Sequence, residues 1–321
     1  MGHDLPAPFR VALERLIAGR AGAALARSQQ HLSRGYRGGR PSREAVAGED
    51  GLAAYLAARL PATHAAVHAA LERLAGQWPE FAPRTQVDIA CGPGTALIAA
   101  AATFPSLIRQ TGLDRAADFL DLAHRLFAEA GGRPPEFHRA DMTAPGFAVP
   151  GADLISMAYA LVECDAALAG PLAVTLFAAA AGALVLVEPG TPAGFERLRN
   201  ARTALIGAGA HILAPCPHQA PCPMTAPDWC HFAVRLNRSR THQRVKQADV
   251  PFEDEKFAYL IAARATRPAI GARILSPPRR SKPGITVKLC RAGAIESRLI
   301  AGTDPGFSAA RRLDWGDWLE N

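Results

Sequence analysis

Three cysteines fall within fifteen residues of this 321-residue chain, in the order Cys216-x5-Cys222-x7-Cys230. Pro215, Pro217, Pro221 and Pro223 punctuate the stretch, and so much proline excludes a helix or a central strand. A fourth cysteine, Cys290, lies far downstream in a strand-like run. Thiolates on irregular loops hold metal, and four suit tetrahedral zinc or an iron–sulfur cluster. The paired Cys-x2-Cys knuckles of a zinc ribbon are absent. Wide, uneven spacing fits a cluster, whose iron sites lie farther apart than the ligands of one ion. His218, His231 and His242 keep a mixed Cys/His zinc site open. Cys91 and Cys164 sit in apolar, strand-adjacent runs and read as core thiols.

A second group surrounds a glycine turn: Asp88-Ile89-Ala90-Cys91-Gly92-Pro93-Gly94-Thr95. Gly92 and Gly94 let the backbone turn sharply and approach a ligand, since no Cβ intervenes. Asp114 follows Gly94 by twenty residues, at the end of the next apolar run. A carboxylate at that place accepts hydrogen bonds from ribose hydroxyls. Asp141-Met142, after a third run, is placed to meet an adenine ring. The expected cofactor-binding residues are Asp88, Ala90, Gly92, Gly94, Thr95, Asp114, Asp141 and Met142. No catalytic residue stands out: Ser156-Met157-Ala158-Tyr159 occupies the place where an acceptor-orienting motif is expected. Glu188, at a strand end, either orients a substrate or satisfies backbone donors.

Basic charge is the third signal. The net charge is +7. Residues 231–300 hold fifteen Lys/Arg and five Asp/Glu, a net of +10, so the rest of the chain sums to −3. Arg235, Arg238, Arg240, Arg244 and Lys246 follow the third cysteine at once. This run reads as an electrostatic footprint for RNA phosphates, with binding steeply dependent on salt. The bland alternative is a solvated helix face partly neutralised by Glu253, Asp254 and Glu255. The stretch His31 to Arg40, broken by glycines and carrying Arg34, Arg37 and Arg40, reads as a solvated loop or a phosphate-contacting arm.

The elements that must position these groups follow from periodicity. Leu13, Leu16, Ile17 and Leu25, then Val67, Leu71, Leu74 and Trp78, recur at helical spacing and mark residues 1–80 as a helical region. From Gln86 short apolar runs alternate with helical ones. Strands are expected at 87–91, 108–114, 137–142, 152–159 and 183–187, and Phe257–Arg264 and Ile285–Cys290 are two late runs available to close the sheet. That alternation predicts an α/β fold with a doubly wound, mostly parallel sheet. The expected organisation is a helical region 1–80 and a domain 81–321, with 191–256 inserted as a cysteine-rich, metal-binding segment. Ala166 to Val187 carries no charge. Its alanines and glycines predict a buried helix, a turn at Gly182 and a strand, and no membrane span. Met1-Gly2-His3-Asp4 lacks an apolar leader, so reduced thiols and a cytoplasmic location are expected.

The glycine turn and its carboxylates resemble those of class I S-adenosylmethionine-dependent methyltransferases. A wider resemblance covers nearly the whole chain. It runs through Arg59-Leu60-Pro61-Ala62-Thr63, Glu188-Pro189-Gly190-Thr191-Pro192, Ala214-Pro215-Cys216-Pro217-His218, Asp228-Trp229-Cys230-His231-Phe232, Pro251-Phe252-Glu253-Asp254-Glu255-Lys256-Phe257 and Asp314-Trp315-Gly316-Asp317. These resemble the ribosomal small-subunit methyltransferase-like family (Rsm twenty-two). The resemblance implies a class I methyltransferase-like fold binding S-adenosylmethionine, and a 4Fe-4S cluster on Cys216, Cys222, Cys230 and Cys290. It also implies action on small-subunit rRNA and the small ribosomal subunit during assembly. The expected function is an assembly factor, acting as a monomer, for which methyl transfer is an open question. The alternatives are an active rRNA methyltransferase and a zinc-containing nucleic-acid-binding protein.

Overall fold

The computed structural model describes residues 2–37, 46, 48–266 and 271–320, and among these residues four helices precede the first strand. α1 (Ala7–Ile17) begins after Pro6 and buries Ala12, Leu13 and Ile17. α2 (Gly22–Arg37) continues through the expected break at His31. Burial of Leu25 and Leu32 outweighs the roughly 1 kcal/mol that a helical glycine costs. Of the arginines of the expected phosphate-contacting arm, Arg34 is exposed on this helix, and the side chains of Arg37 and Arg40 lie outside the described residues. α3 (Gly48–Ala58) has Glu49 and Asp50 in its first turn, where carboxylates suit the helix dipole. α4 (Leu60–Gln77) carries Pro61 in its first turn, where a missing N–H costs no hydrogen bond.

Strand and helix then alternate as β1 (Thr85–Ile89), α5 (Thr95–Thr103), β2 (Arg109–Asp114), α6 (Ala117–Ala130), β3 (Glu136–Arg139), β4 (Ala152–Ala158), α7 (Ala169–Ala179), β5 (Ala180–Pro189), α8 (Pro192–Gly207) and β6 (His211–Ala214). After the cysteine loop come β7 (Phe232–Asn237), α9 (Arg240–Lys246) and β8 (Phe252–Ala263). The sheet order is β3-β2-β1-β4-β5-β8-β6. β1 to β5 are mutually parallel, and β8 returns antiparallel beside β5, from Ala183↔Ala263 to Pro189↔Phe257. The free edge of β8 is shared end to end by β6 and β7, both antiparallel to it. The loop 215–231 therefore leaves one edge strand and returns at the start of the next. Of the expected insertion 191–256, α8, β6 and β7 belong to the sheet and its cover.

Helices α4 and α5 cover one face. Ala62, Ala66, Ala70, Ala96 and Ala100 meet Val185, Val187 and Tyr259 there, and the small side chains let the helices lie close. α7 and α8 cover the other face, with Leu176, Phe177, Leu198 and Leu205 against Ile155, Leu184 and Leu186. α1 to α3 pack against α5 and α6 through Leu97, Ile98, Phe119 and Leu126. Gly182 is not a turn residue. β5 already begins at Ala180, and the register against β4 shifts there. A Cβ on Gly182 would lie 2.5 Å from Phe81 Cε2 and 2.8 Å from the Asp153 carbonyl. No helix among the described residues is long and apolar enough to cross a membrane.

One expected strand lies elsewhere. Ile285–Cys290 does not close the large sheet. It belongs to β11 (Gly284–Arg291), the centre of a second sheet with β9 (Ala272–Ile274), β10 (Arg279–Ser281), β12 (Ala294–Ala301) and β13 (Trp318–Leu319). This sheet has its own core of Ile274, Ile285, Val287, Leu289 and Ile300, closed by Ala310 of α10 (Phe307–Ala310). The long β8 already fills the edge beside β5, which leaves no ladder there for β11 to join.

Candidate functional site

The turn after β1 is held open by backbone conformation. Ala90 and Gly92 have φ of 54° and 52°, and Gly94 has φ of 82°. Nothing lies within 4 Å of the place a Gly92 Cβ would take, so that glycine faces open space. The space is a cleft lined by Ala90, Gly92, Asp114, Arg115, Asp141, Met142, Phe147 and Tyr159 among others. It lies at the carboxyl ends of β1, β2 and β4, where open α/β sheets bind ligands. Asp114 braces the turn: Gly92 N donates to Oδ2 at 2.8 Å and Ala116 N to Oδ1 at 2.9 Å. Burial pushes its pKa up, against those two donors. Each oxygen keeps a lone pair for a further donor. Asp141 accepts from Thr143 N and Oγ1 at 2.9 and 2.7 Å, with Arg115 Nη1 3.8 Å away. The cleft thus offers a backbone cradle, two carboxylates and an apolar wall.

Three of the eight expected cofactor residues stand behind this cleft and do not line it. Asp88 is buried and accepts from Ser156 Oγ at 2.7 Å. Burial raises its pKa to about 7. Gly94 is a packing glycine: a Cβ there would sit 2.6 Å from Phe127 Cε2. Thr95 opens α5 with its hydroxyl buried and without a hydrogen-bond partner. Glu188 satisfies backbone donors: it accepts from Ala160 N, Leu161 N and Val162 N at 3.0, 2.8 and 3.0 Å. Tyr159, at φ 59°, donates to Glu255 Oε1 at 2.8 Å, and Arg59 Nη2 reaches the same oxygen at 3.2 Å. Tyr55 and Arg115 also line the cleft, and no sequence signal placed them there.

The four cysteines of the loop and β11 meet in a different cavity. Cys216, Cys222, Cys230 and Cys290 line it with Pro215, Met224, Leu275 and Ile295. Cys216 lines this cavity and not the cleft, which sets it apart from the glycine turn. Cys290 is buried and the other three are half-buried. Burial, then the charges of Cys216 and Cys222, push the Cys290 thiol up to about 12. Burial and the other three sulfurs hold Cys230 well above the ordinary thiol range. Cys290 Sγ is 3.4 Å from His218 Nε2. Among the described residues, no three of these sulfurs lie within 4.8 Å of one another. Cys91 and Cys164 are buried apart from this group, as core thiols.

Two arginines that sequence reasoning missed flank the cavity. Arg273 is fully buried and pairs across the ladder with Cys290. Its Nε donates to Pro215 O at 2.9 Å, Nη1 donates to Gly316 O, and the guanidinium lies 3.6 Å above the Trp318 ring. Its Nη2 is buried without a hydrogen-bond partner. Arg202 of α8 donates to His218 O and Ala220 O, both at 2.8 Å, and its charge opposes the burial that raises the Cys216 thiol. The donor set therefore fits an anionic metal–thiolate group. Four sulfurs converge, and two buried guanidinium ions stand ready to offset negative charge.

The basic run is divided. Arg235 forms a two-pronged pair with Asp254 at 2.7 Å and stacks 4.1 Å above Phe252. Arg238 lies 3.4 Å from Glu253, Lys246 pairs with the same carboxylate, and His242 Nε2 is 3.2 Å from it. Arg240 and Arg244 are exposed, with no carboxylate within ion-pair distance among the described residues. Glu255 turns inward to Arg59 and does not neutralise the run.

A parallel five-strand core in the order β3-β2-β1-β4-β5, closed by an antiparallel strand, with a cleft at its glycine turn, defines a class I methyltransferase-like α/β fold. Within that class the chain belongs to the family described as "Mitochondrial small ribosomal subunit Rsm22", which matches residues 50–320. It is similar to the human "Ribosome assembly protein METTL17, mitochondrial", 28% identical over 296 residues, covering 83% of this chain and 61% of that protein. It is also similar to the "Rsm22-cox11 tandem protein 2, mitochondrial" of Schizosaccharomyces pombe, 26% identical over 187 residues, 42% of this chain and 24% of that protein. The chain thus spans about three fifths or less of the curated relatives it matches. Solved structures resembling it include the magnesium protoporphyrin IX methyltransferase ChlM of Synechocystis PCC 6803 with bound SAH, at 14% identity and TM-score 0.41 over 63% of this chain and 85% of that one. Another is the precorrin-6y C5,15-methyltransferase of Geobacter metallireducens, at 15% identity and TM-score 0.41 over 62% and 87%. The family and its relatives correct one expectation. They are mitochondrial proteins, which points to a mitochondrial and not a cytoplasmic location.

Proposed function

We propose that this chain is an assembly factor of the small ribosomal subunit that binds S-adenosylmethionine in the cleft, carries an iron–sulfur cluster on its four cysteines and meets rRNA through its basic face. The observation that carries this reading is the convergence of Cys216, Cys222 and Cys230 with Cys290 on one apolar cavity between two buried arginines. A single zinc ion, with bonds of about 2.3 Å, would draw four sulfurs to within roughly 3.8 Å of one another. Among the described residues no three of the sulfurs lie within 4.8 Å of one another, and ligands to separate irons of a 4Fe-4S cluster lie farther apart than those of one ion. Bound there, a cluster would supply a cross-link between the loop and the second sheet. Arg202 and Arg273 would offset its negative charge, and the prolines would limit the loop's freedom before binding. The ribosomal role is supported by the family and by the name of the human relative. We further propose the division into a helical region 1–80 and a domain 81–321, with the inserted segment reduced to the loop 215–231, and action as a monomer.

Anaerobic purification tests the metal. The expected protein is brown, with broad visible absorption. Cys290→Ser is expected to lose that absorption and to melt at lower temperature, because metal binding couples to folding. A colourless protein holding one zinc per chain would overturn the cluster. Crosslinking to rRNA in cells tests the partner. A second reading, an active rRNA methyltransferase, is favoured by the cleft alone. Mapping methylated small-subunit nucleotides separates the two: a methyl group lost on deletion, restored by the wild type and not by Asp114→Ala, establishes turnover.

A further inference from the structure

Away from the cysteines, three potential ligands meet at the N-terminal end of the fold. His64, His68 and Glu72 recur every four residues on α4, which places them along one helix face. His3 arrives from the segment ahead of α1. His3 Nδ1 lies 3.2 Å from His68 Nδ1 and 3.4 Å from Glu72 Oε2, and His68 Nδ1 lies 3.9 Å from Glu72 Oε1. Among the described residues these are the only three His, Cys, Asp or Glu side chains whose ligand atoms all lie within 4.8 Å of one another. We propose that His3, His68 and Glu72 form a second metal site, for a divalent transition ion of the zinc class, with a water in the fourth position.

The distances carry this assignment. Zinc–nitrogen and zinc–oxygen bonds of about 2.0–2.2 Å at tetrahedral angles separate neighbouring ligand atoms by roughly 3.3–3.6 Å. The observed separations of 3.2, 3.4 and 3.9 Å bracket that edge length, the two to Glu72 being to different oxygens of its carboxylate, and one ligand atom of each residue lies within 4.8 Å of the others. Two ring nitrogens facing each other share one proton, whereas a metal ion uses the lone pairs of both. Two imidazoles and one carboxylate also suit zinc-like ions by ligand type, and leave a net charge of +1 on the occupied site.

The ligands are held in place by their surroundings. His64 is buried and stacks on His68 with ring centroids 5.6 Å apart, which fixes the plane of the liganding ring. Its Nδ1 lies 3.3 Å from the His3 carbonyl oxygen. Beside His3, Asp4 accepts from Asn237 N at 3.0 Å and Asn237 Nδ2 at 2.8 Å, and Leu5 is buried. The His3 ligand is therefore delivered by a segment tied to β7. An ion at this site would fasten the N-terminal segment to α4 next to the strand that leads into the basic run.

Cobalt(II) is the probe, because it replaces zinc and reports its ligands by visible absorption. The full chain, with its cysteine centre as isolated, is titrated with cobalt. The expected result is one equivalent showing ligand-field bands without sulfur charge-transfer absorption, displaced by zinc. His3→Ala and Glu72→Gln, at half-exposed positions that leave the helix packing untouched, are expected to weaken that equivalent on the order of 100-fold or more. Cys290→Ser is expected to retain it. Absence of a sulfur-free cobalt equivalent in the wild type, or equal uptake by His3→Ala and Glu72→Gln, would overturn the proposal. Loss of the equivalent in Cys290→Ser alone would assign the ion to the cysteine centre and overturn it as well.

Discussion

At the scale of single residues, similar side chains have been given unlike work by burial. Asp88 and Asp114 both belong to the glycine-turn motif, yet Asp114 borders the cleft while Asp88 lies behind it with Ser156 as its partner. Burial lifts the Asp88 pKa from its ordinary 3.8 to about 7. A folded-state pKa above the unfolded one means that its contribution to stability is full below about pH 4 and is lost as pH rises through about 7. Asp88→Asn, which keeps a partner for Ser156 and does not titrate, is expected to flatten the stability profile between those limits. Urea denaturation at a series of pH values measures this. Gly94→Ala tests packing against cofactor contact. Its φ of 82° and the Phe127 ring 2.6 Å from a new Cβ are expected to cost about 1–3 kcal/mol of stability, read from the denaturation midpoint. Proteins of equal stability would show that Phe127 yields freely. The motif was legible as a glycine turn. Which of its members line the cleft was not, because that depends on Phe127 and Phe137 from other elements.

Elements set the cysteine centre. β6 and β7 share one edge of β8, so the loop between them must project from the sheet. β9 and β11 bring Arg273 and Cys290 side by side on the second sheet. Arg273 then reaches across to Pro215, at the root of the loop. A buried charge with several hydrogen bonds is costly to truncate, since its partners are left unpaired. Arg273→Ala is expected to destabilise the chain by about 3–5 kcal/mol and to lower metal content. Arg273→Lys is expected to rescue little, because an ammonium ion lacks the planar fork. Thermal melting with metal analysis checks both, and a Lys variant of wild-type stability would mean that charge alone suffices. The alternation of β1 to β5 was visible in the sequence as a change of period near Gln86. The second sheet was not, because Ile285–Cys290 has the apolar pattern of any buried strand and no local feature names its partner.

For the whole molecule, charge and position combine. The net +10 of residues 231–300 overstates what a polyanion meets, since Arg235, Arg238 and Lys246 are engaged by Asp254 and Glu253. Arg240 and Arg244 remain as exposed charges on α9. Replacing both with Ala is expected to reduce the slope of log affinity for rRNA against log salt by about 1–2, at roughly 0.7–0.9 for each phosphate contact. Arg235→Ala is expected to change it less. Filter binding over a salt series gives the slopes, and equal slopes for all variants would move the RNA contact to another face.

By itself the sequence determined the periodicities and the chemistry: helices before residue 80, the β1–β5 alternation, the glycine turn and the thiols of the loop. These are local, and a few neighbouring residues suffice to encode them. Only the tertiary structure decided that Cys290 stands against Arg273, that Arg202 closes on the loop, and that His3 meets His68 and Glu72. Each of these pairs residues that are remote along the chain. Their meeting depends on which strand edges remain free and which helix faces pack, and that competition is settled by the whole core at once.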